Sequence, residues 1–182
     1  MSRKRKAPIL VLGIGNTLFG DDGAGVELVG RLSRWSRNWH GAVEYLAGGT
    51  QGAALLDAVA GRYALIILDA IALGAAPGTV HLLQGAEVLA LSQYATSALK
   101  ANAVELLAAA LLLDKLPERI FMVGIEPACL TSGHGLSQPV RRAIPEALGL
   151  ARNAIVEALE SQFLPAAFDF RQPFEWPVMS GR

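Results

Sequence analysis

The segment 9–25 constrains this chain more than any other, because an apolar run leads into a glycine-rich turn and then into two adjacent carboxylates. The run 9–12 is typical of a buried strand. The turn that follows brings Asp21 and Asp22 to the point where the next helix should begin. Because ligands of open α/β sheets bind at the carboxyl ends of strands, the segment predicts the position of a site as well as a fold.

Two interpretations of this turn are possible, a nucleotide site and a metal or polar-substrate site. The glycines Gly13 and Gly15 resemble the start of a dinucleotide fingerprint, in which glycines let the backbone approach a pyrophosphate. However, the third glycine position is Leu18, and two carboxylates at a helix N-terminus repel a pyrophosphate. A metal or polar-substrate site is favoured, and no nucleotide cofactor is expected. A structural role is the alternative, with Asp21 capping the helix and Asp22 complementing its dipole.

Alternating strand-like and helix-like segments predict one α/β domain over 8–163, with a doubly wound, mostly parallel sheet of about five strands and helices on both faces. The predicted strands are 8–14, 43–47, 64–69, 79–83 and 119–125. The predicted helices are about 22–36, one capped by Thr50, one from Ser97 to about Leu113, and one that begins after Ser137 and is bent at Pro145. The strand 79–83 should be antiparallel, because the connection before it is too short for a helical crossover.

Composition excludes several classes of protein. The chain has 182 residues, of which 52% are hydrophobic and 18% charged, and its net charge is zero. This is typical of a folded domain without a basic surface, so no nucleic-acid partner is expected. The basic N-terminal tail 1–7 should be solvated, and the stretch 106–113 is too short to span a membrane. The tail 164–182 is rich in proline and aromatic residues. It is expected to be packed over the domain surface or disordered, and the alternative is a tail that binds a partner or docks on its own domain.

The single cysteine, Cys129, excludes an intrachain disulfide and favours a cytoplasmic location. Its neighbours show no activating pattern. A free cysteine is more often a small buried apolar residue than a nucleophile. Cys129 is therefore expected to be buried and not catalytic.

Four segments, taken in order, resemble the [NiFe]-hydrogenase maturation endopeptidases, which trim a C-terminal extension from the hydrogenase large subunit after nickel insertion. The resemblance covers roughly 8–160. The segments are Gly-Ile-Gly-Asn-x-Leu-x-x-Asp-Asp-Gly-x-Gly from Gly13, Gly-Gly-Thr-Gln-Gly from Gly48, Leu-Ile-Ile-Leu-Asp-Ala-Ile from Leu65 followed by Pro77-Gly78-Thr79, and Gly-Ile-Glu-Pro from Gly124 followed by Gly135-Leu136-Ser137.

The resemblance implies that Asp22 and Asp69 are catalytic and bind a metal, chiefly the nickel of the substrate itself, with water as the nucleophile. The sheet order expected for this fold supports the pair, since the carboxyl ends of the first and third strands should be neighbours. Local backbone capping is the alternative for Asp69. The resemblance also implies a substrate cleft, lined by Asn16, Gly48, Gly49 and Thr50; an ordinary strand-to-helix turn is the alternative for the glycines.

The chain departs from the family at two positions. Leu99 stands where the family has a metal-binding histidine, and Ala47 replaces the acidic residue before Gly-Gly-Thr. His134, in a loop after the last strand, is a candidate replacement ligand, and a surface histidine is the alternative. His81 is expected to pack within a strand and His40 to cap a helix end. Glu126 is a further carboxylate near this edge, with backbone hydrogen bonding as its alternative role.

Two functions follow from the resemblance. The first is a metal-dependent endopeptidase that removes the C-terminal extension of a nickel-loaded large-subunit precursor. The second is a non-catalytic hydrogenase assembly factor of the same fold, which has lost the third metal ligand at Leu99.

Overall fold

The computed structural model describes residues 6–35, 39, 41–94, 101–133 and 135–163. Within them, five strands form one sheet in the order β2-β1-β3-β5-β4. The strands are β1 (Ile9–Ile14), β2 (Val43–Gly49), β3 (Ala64–Ala70), β4 (Val80–Gln84) and β5 (Arg119–Ile125). All neighbours pair in parallel except β4, which is antiparallel to β5. The predicted doubly wound, mostly parallel sheet is confirmed, and so is the antiparallel strand.

Helices cover both faces of the sheet. They are α1 (Ala24–Trp35), α2 (Leu56–Val59), α3 (Ala86–Tyr94), α4 (Ala101–Leu112) and α5 (Gln138–Phe163). The helices α1 and α5 share one apolar core with the sheet, and α2, α3 and α4 share the other. Across the described ranges, each helix is either too short or too polar to cross a lipid bilayer.

The central strand β3 is buried along its whole length, as a parallel strand covered on both faces should be. Its side chains alternate between the two cores: Ile66 and Leu68 pack on the α1 and α5 side, and Leu65 and Ile67 on the other. The carboxyl end of β3 is therefore held at the middle of the sheet. Asp69 lies at this end.

The first turn of α1 rests directly on the ends of β1 and β3. A Cβ atom on Gly25 would lie 2.1 Å from the carbonyl oxygen of Leu68 and 2.3 Å from that of Ile14. Only glycine permits this approach, because any side chain would occupy the space of the two carbonyls. The glycine thus brings the start of α1 over the carboxyl edge of the sheet.

Several element boundaries differ from the predictions. Thr50 caps no helix, because a 3-10 turn over Gly52–Leu55 begins after Gln51 and leads into the single turn of α2. The helix α3 was not predicted. The carbonyl of Ser137 accepts the first hydrogen bond of α5 from Arg141, as the predicted cap position requires, and α5 continues through Pro145.

Some predictions fall on residues outside the described part of the chain. They concern 1–5 of the basic tail, His40, the segment Ser97-Ala98-Leu99, His134 and the tail 164–182.

Candidate functional site

The glycine turn after β1 wraps around the carboxylate of Asp22. Gly15 has a φ of +123°, and a Cβ there would lie 1.8 Å from the Asp22 carbonyl oxygen and 3.4 Å from its Oδ1. The backbone N–H of Asn16 donates to Asp22 Oδ2 at 2.9 Å. Asp22 is only 2% exposed. The sequence folds this way because Gly15 supplies both the backbone conformation and the space that the carboxylate needs.

Asp69 lies near the carboxyl end of the neighbouring strand β3. Its exposure is 0%, it is in register with Gly124 of β5, and its Oδ1 accepts the N–H of Ala70 at 2.8 Å. Because β1 and β3 are adjacent and parallel, the structure places Asp22 and Asp69 at the same edge of the sheet, as predicted. Buried carboxylates are costly unless donors or cations compensate them, so this edge suits the binding of a cation or proton transfer.

Asp21 turns away from this pair and binds a different loop. Its Oδ2 accepts the N–H groups of Ala128 at 2.8 Å and Cys129 at 2.9 Å, and its Oδ1 accepts that of Ser137 at 2.6 Å. Burial alone raises the pKa of Asp21, but these backbone donors outweigh burial and lower the pKa below its usual value. The helix cap expected at Asp21 is wrong: the 3-10 turn Gly20–Gly23 has no side-chain cap.

The loop after β5 is also paired with the glycine turn through the backbone. Gly20 donates to the carbonyl of Gly133 at 3.0 Å, and Gly133 donates to the carbonyl of Leu18 at 3.0 Å. These bonds form a short parallel bridge between Phe19 and Gly133. His134 follows in the chain but lies outside the described residues, so its role as a ligand stays a prediction.

Glu126 holds the connection between β3 and β4. It is 4% exposed, and its carboxylate accepts the N–H groups of Leu73 at 3.0 Å and Gly74 at 2.9 Å. His81 Nε2 lies 3.3 Å from Glu126 Oε2. The backbone-bonding role of Glu126 is confirmed, and His81 packs within β4 as predicted.

A cleft of about 240 Å³ opens beside the glycine turn, at the carboxyl ends of β1 and β2. It is lined by Gly15, Asn16, Thr17, Val26, Ala47, Gly49 and Thr50. Three of the four predicted cleft residues, Asn16, Gly49 and Thr50, line this cleft. The fourth, Gly48, faces the core instead, because a Cβ there would be 2.7 Å from Leu55 and 2.8 Å from Leu12. Val26 of α1 also lines the cleft. The use of this cleft by a substrate stays a prediction.

A larger groove, of about 1270 Å³, lies at the opposite edge of the sheet. Arg62 lies beneath it and uses its guanidinium to join chain segments, donating to the carbonyls of Ala58 at 2.8 Å and Ala7 at 2.6 Å and to Glu44 at 2.7 Å. These contacts explain why Arg62 is buried, and they indicate that its role is to stabilise the fold.

Cys129 is exposed, which contradicts the prediction of a buried apolar residue. Its Sγ lies 3.0 Å from Thr131 Oγ1, and this hydrogen bond lowers the pKa of the thiol. The residue is exposed because its loop is held by the backbone contacts to Asp21 rather than by a side chain in the core. In the described part of the chain, no group of three His, Cys, Asp or Glu side chains is placed to hold a metal ion.

Comparison with known proteins identifies the family. The family model "Hydrogenase maturation protease", HycI, matches residues 26–154. The hydrogenase 2 maturation protease of Escherichia coli (strain K12) is 36% identical over 156 residues, which are 83% of this chain and 94% of that protein. The hydrogenase expression/formation protein HupM of Azotobacter chroococcum mcd 1 is 36% identical over 151 residues, which are 82% of this chain and 72% of that protein.

A solved structure agrees with the sequence relatives. The hydrogenase maturating endopeptidase HybD from E. coli superimposes with a TM-score of 0.73 at 36% identity, over 82% of this chain and 93% of that one. These relatives favour a peptidase over the non-catalytic assembly factor that Leu99 suggested. This chain belongs to the hydrogenase maturation protease family and is a peptidase.

Proposed function

We propose that this peptidase removes the C-terminal extension of a [NiFe]-hydrogenase large-subunit precursor, that it does so in the cytoplasm, and that it acts once the precursor carries nickel. The proposal rests mainly on one observation: Asp22 and Asp69 are both buried at the carboxyl edge of the sheet, where the adjacent parallel strands β1 and β3 end. The names of the relatives, among them a hydrogenase 2 maturation protease, support the same substrate class. The lone cysteine is consistent with a reducing compartment.

Asp22 and Asp69 would bind the nickel that the substrate brings. Carboxylates provide oxygen ligands, and His134 would add an imidazole, which suits nickel. Leu99, at the position where the resemblance implies a histidine, has no lone pair to offer. Nickel bound between substrate and enzyme would act as a Lewis acid on the scissile carbonyl.

The protein's own groups set the orientation of these carboxylates. The N–H of Asn16 holds one oxygen of Asp22, and the N–H of Ala70 holds one oxygen of Asp69. A carboxylate so oriented can take a proton from the attacking water as the new C–O bond forms. The proton then passes to the leaving amine as the C–N bond breaks.

Cleavage of a nickel-loaded precursor tests this function, with loss of the C-terminal peptide measured by mass. Asp22→Asn and Asp69→Asn keep the side-chain shape but remove the charge. Each variant should lose about 100-fold or more in rate, the range expected for a missing general base. Asp57→Asn is the matched control, because it removes an exposed carboxylate at the opposite edge of the sheet.

The two functions separate clearly in this assay. Cleavage by wild type that is lost in both variants supports the peptidase mechanism and shows that Leu99 is tolerated. Wild-type rates in both variants would contradict the roles of the two carboxylates. Tight binding of the precursor without cleavage by wild type would favour the assembly factor instead.

A further inference from the structure

We propose that Leu18, Phe19 and Leu130 form a docking surface for an uncharged, apolar segment of the precursor next to its scissile bond. We call these three residues the apolar rim. The inference rests on the proposed function, because it takes the hydrogenase precursor as the partner.

The members of the apolar rim are exposed although each is large and hydrophobic. The exposed fractions are 55% for Leu18, 42% for Phe19 and 40% for Leu130. Single exposed apolar side chains are common and need no explanation. These three differ because they lie on two loops that are hydrogen-bonded to each other at the same edge of the sheet.

The backbone beneath the rim is held from several directions. Gly133 exchanges hydrogen bonds with Leu18 and Gly20, both at 3.0 Å. The N–H of Asp21 donates to the carbonyl of Cys129 at 3.0 Å, and the Asp21 carboxylate accepts from the same loop. A rigid support reduces the entropy lost on binding, so exposed side chains on it are well suited to contact a partner.

The rim is continuous with the candidate catalytic site. The carbonyl of Phe19 accepts the N–H of Asp22 at 3.1 Å. The N–H of Leu18 donates to the side chain of Asn16 at 3.0 Å, and the N–H of Asn16 donates to Asp22. A peptide bond brought to Asp22 and Asp69 therefore has its flanking residues close to the rim.

The residue types in the two loops indicate which kind of peptide segment could bind the rim. Neither 13–20 nor 127–133 contains a Lys, Arg, Asp or Glu. Charge complementarity is therefore not the basis of recognition by these loops. An apolar segment would bury the rim and gain free energy from the area removed from water.

Binding of nickel-free precursor, which isolates the protein contacts from the metal, tests the inference. Its Kd is compared between wild type and the double variant Leu18→Ala/Phe19→Ala, both checked for an unchanged Tm. We expect binding to weaken about tenfold in the double variant. The apolar replacement Leu18→Met/Phe19→Leu should restore most of the affinity.

Leu112→Ala is the matched control. Leu112 is 84% exposed, more than any member of the rim, but it ends α4 just before the amino end of β5, at the opposite edge of the sheet. This variant should bind like wild type. Equal affinity of the double variant and wild type, or no binding by wild type, would overturn the inference. Failure of the proposed function is recognised separately, by cleavage that survives in Asp22→Asn and Asp69→Asn.

Discussion

The carboxylate of Asp21 lies 2.6 Å from the backbone nitrogen of Ser137 and so ties the start of the first helix to the start of the last one. The same carboxylate binds the N–H groups of Ala128 and Cys129. The carboxylate of its neighbour Asp22 instead accepts the N–H of Asn16 in the glycine turn. The two adjacent aspartates therefore have different partners: Asp21 joins two loops at this edge of the sheet, and Asp22 is held in the glycine turn, where we propose that it takes part in catalysis.

Asp21→Asn should destabilise the protein, because an amide NH2 would face a backbone N–H in a buried position. Leaving one buried donor without an acceptor costs about 1–3 kcal/mol in the free energy of unfolding. Urea denaturation at neutral pH measures this difference. Asp57→Asn, at an exposed position, is the control and should leave the midpoint unchanged. An unchanged midpoint in Asp21→Asn would show that the three contacts contribute nothing.

The contribution of Asp21 should depend on pH in a defined direction. Because its pKa is lower in the folded protein than in the unfolded chain, the ionised carboxylate stabilises the fold above the unfolded pKa of about 3.9. This stabilisation is lost as the pH falls through the folded value. The difference in unfolding free energy between wild type and Asp21→Asn should be constant from pH 7 to about 5 and then shrink on acidification. A difference that grows below pH 4 would contradict this linkage.

Gly25→Ala should be strongly destabilising, because its methyl group would lie 2.1 Å from the carbonyl oxygen of Leu68. The helix must move away from the sheet, at a cost of about 1–3 kcal/mol or more, as for other overpacked positions. A Cβ atom on Gly30 of the same helix would meet nothing within 4 Å beyond the helix itself. Gly30→Ala should therefore stabilise the protein, by about 0.5–1 kcal/mol, through helix propensity alone. Thermal unfolding of both variants checks the pair, and equal effects would contradict the packing argument.

The fold was largely predictable because its signals are local. The apolar run of β3 is continuous, as in a strand that is buried on both faces. In α5, Val140, Ile144 and Leu148 recur at helical spacing, which predicts the buried face of that helix. The helix α3 was missed because its apolar residues are spread around the helix instead of along one face. Such a segment has no period that distinguishes helix from strand.

The site was predictable only in part. The edge occupied by Asp22 and Asp69 follows from the order of parallel strands, which a sequence pattern can indicate. The role of Asp21 depends on a loop more than 100 residues away, and no local pattern reveals such a contact. The exposure of Cys129 has the same origin, because a remote carboxylate holds its backbone at the surface.

Glu126→Gln should loosen the connection between β3 and β4. Glutamine retains one acceptor oxygen, so one of the two N–H groups, that of Leu73 or that of Gly74, would lose its partner. Native-state hydrogen exchange should show faster exchange of these amides, by about tenfold for a loss near 1.4 kcal/mol. Glu87→Gln, which neutralises the carboxylate that accepts the N–H of Gln84 at the far end of β4, should leave them unchanged. Identical protection of these amides in wild type and Glu126→Gln would show that the Glu126 carboxylate does not stabilise this connection.

Cys129→Ser should cleave the nickel-loaded precursor at a rate close to that of wild type. The lowered pKa of the exposed thiol increases the fraction of thiolate, so Cys129 should react with iodoacetamide faster than an ordinary surface cysteine. Reactivity is not catalysis, however, because the proposed nucleophile is water and the two carboxylates lie in the glycine turn and at the end of β3. Cleavage assays of Cys129→Ser beside Asp22→Asn separate the two mechanisms. A loss of about 100-fold in the serine variant would replace the water mechanism with a covalent one, since serine without an activating base is a weak nucleophile.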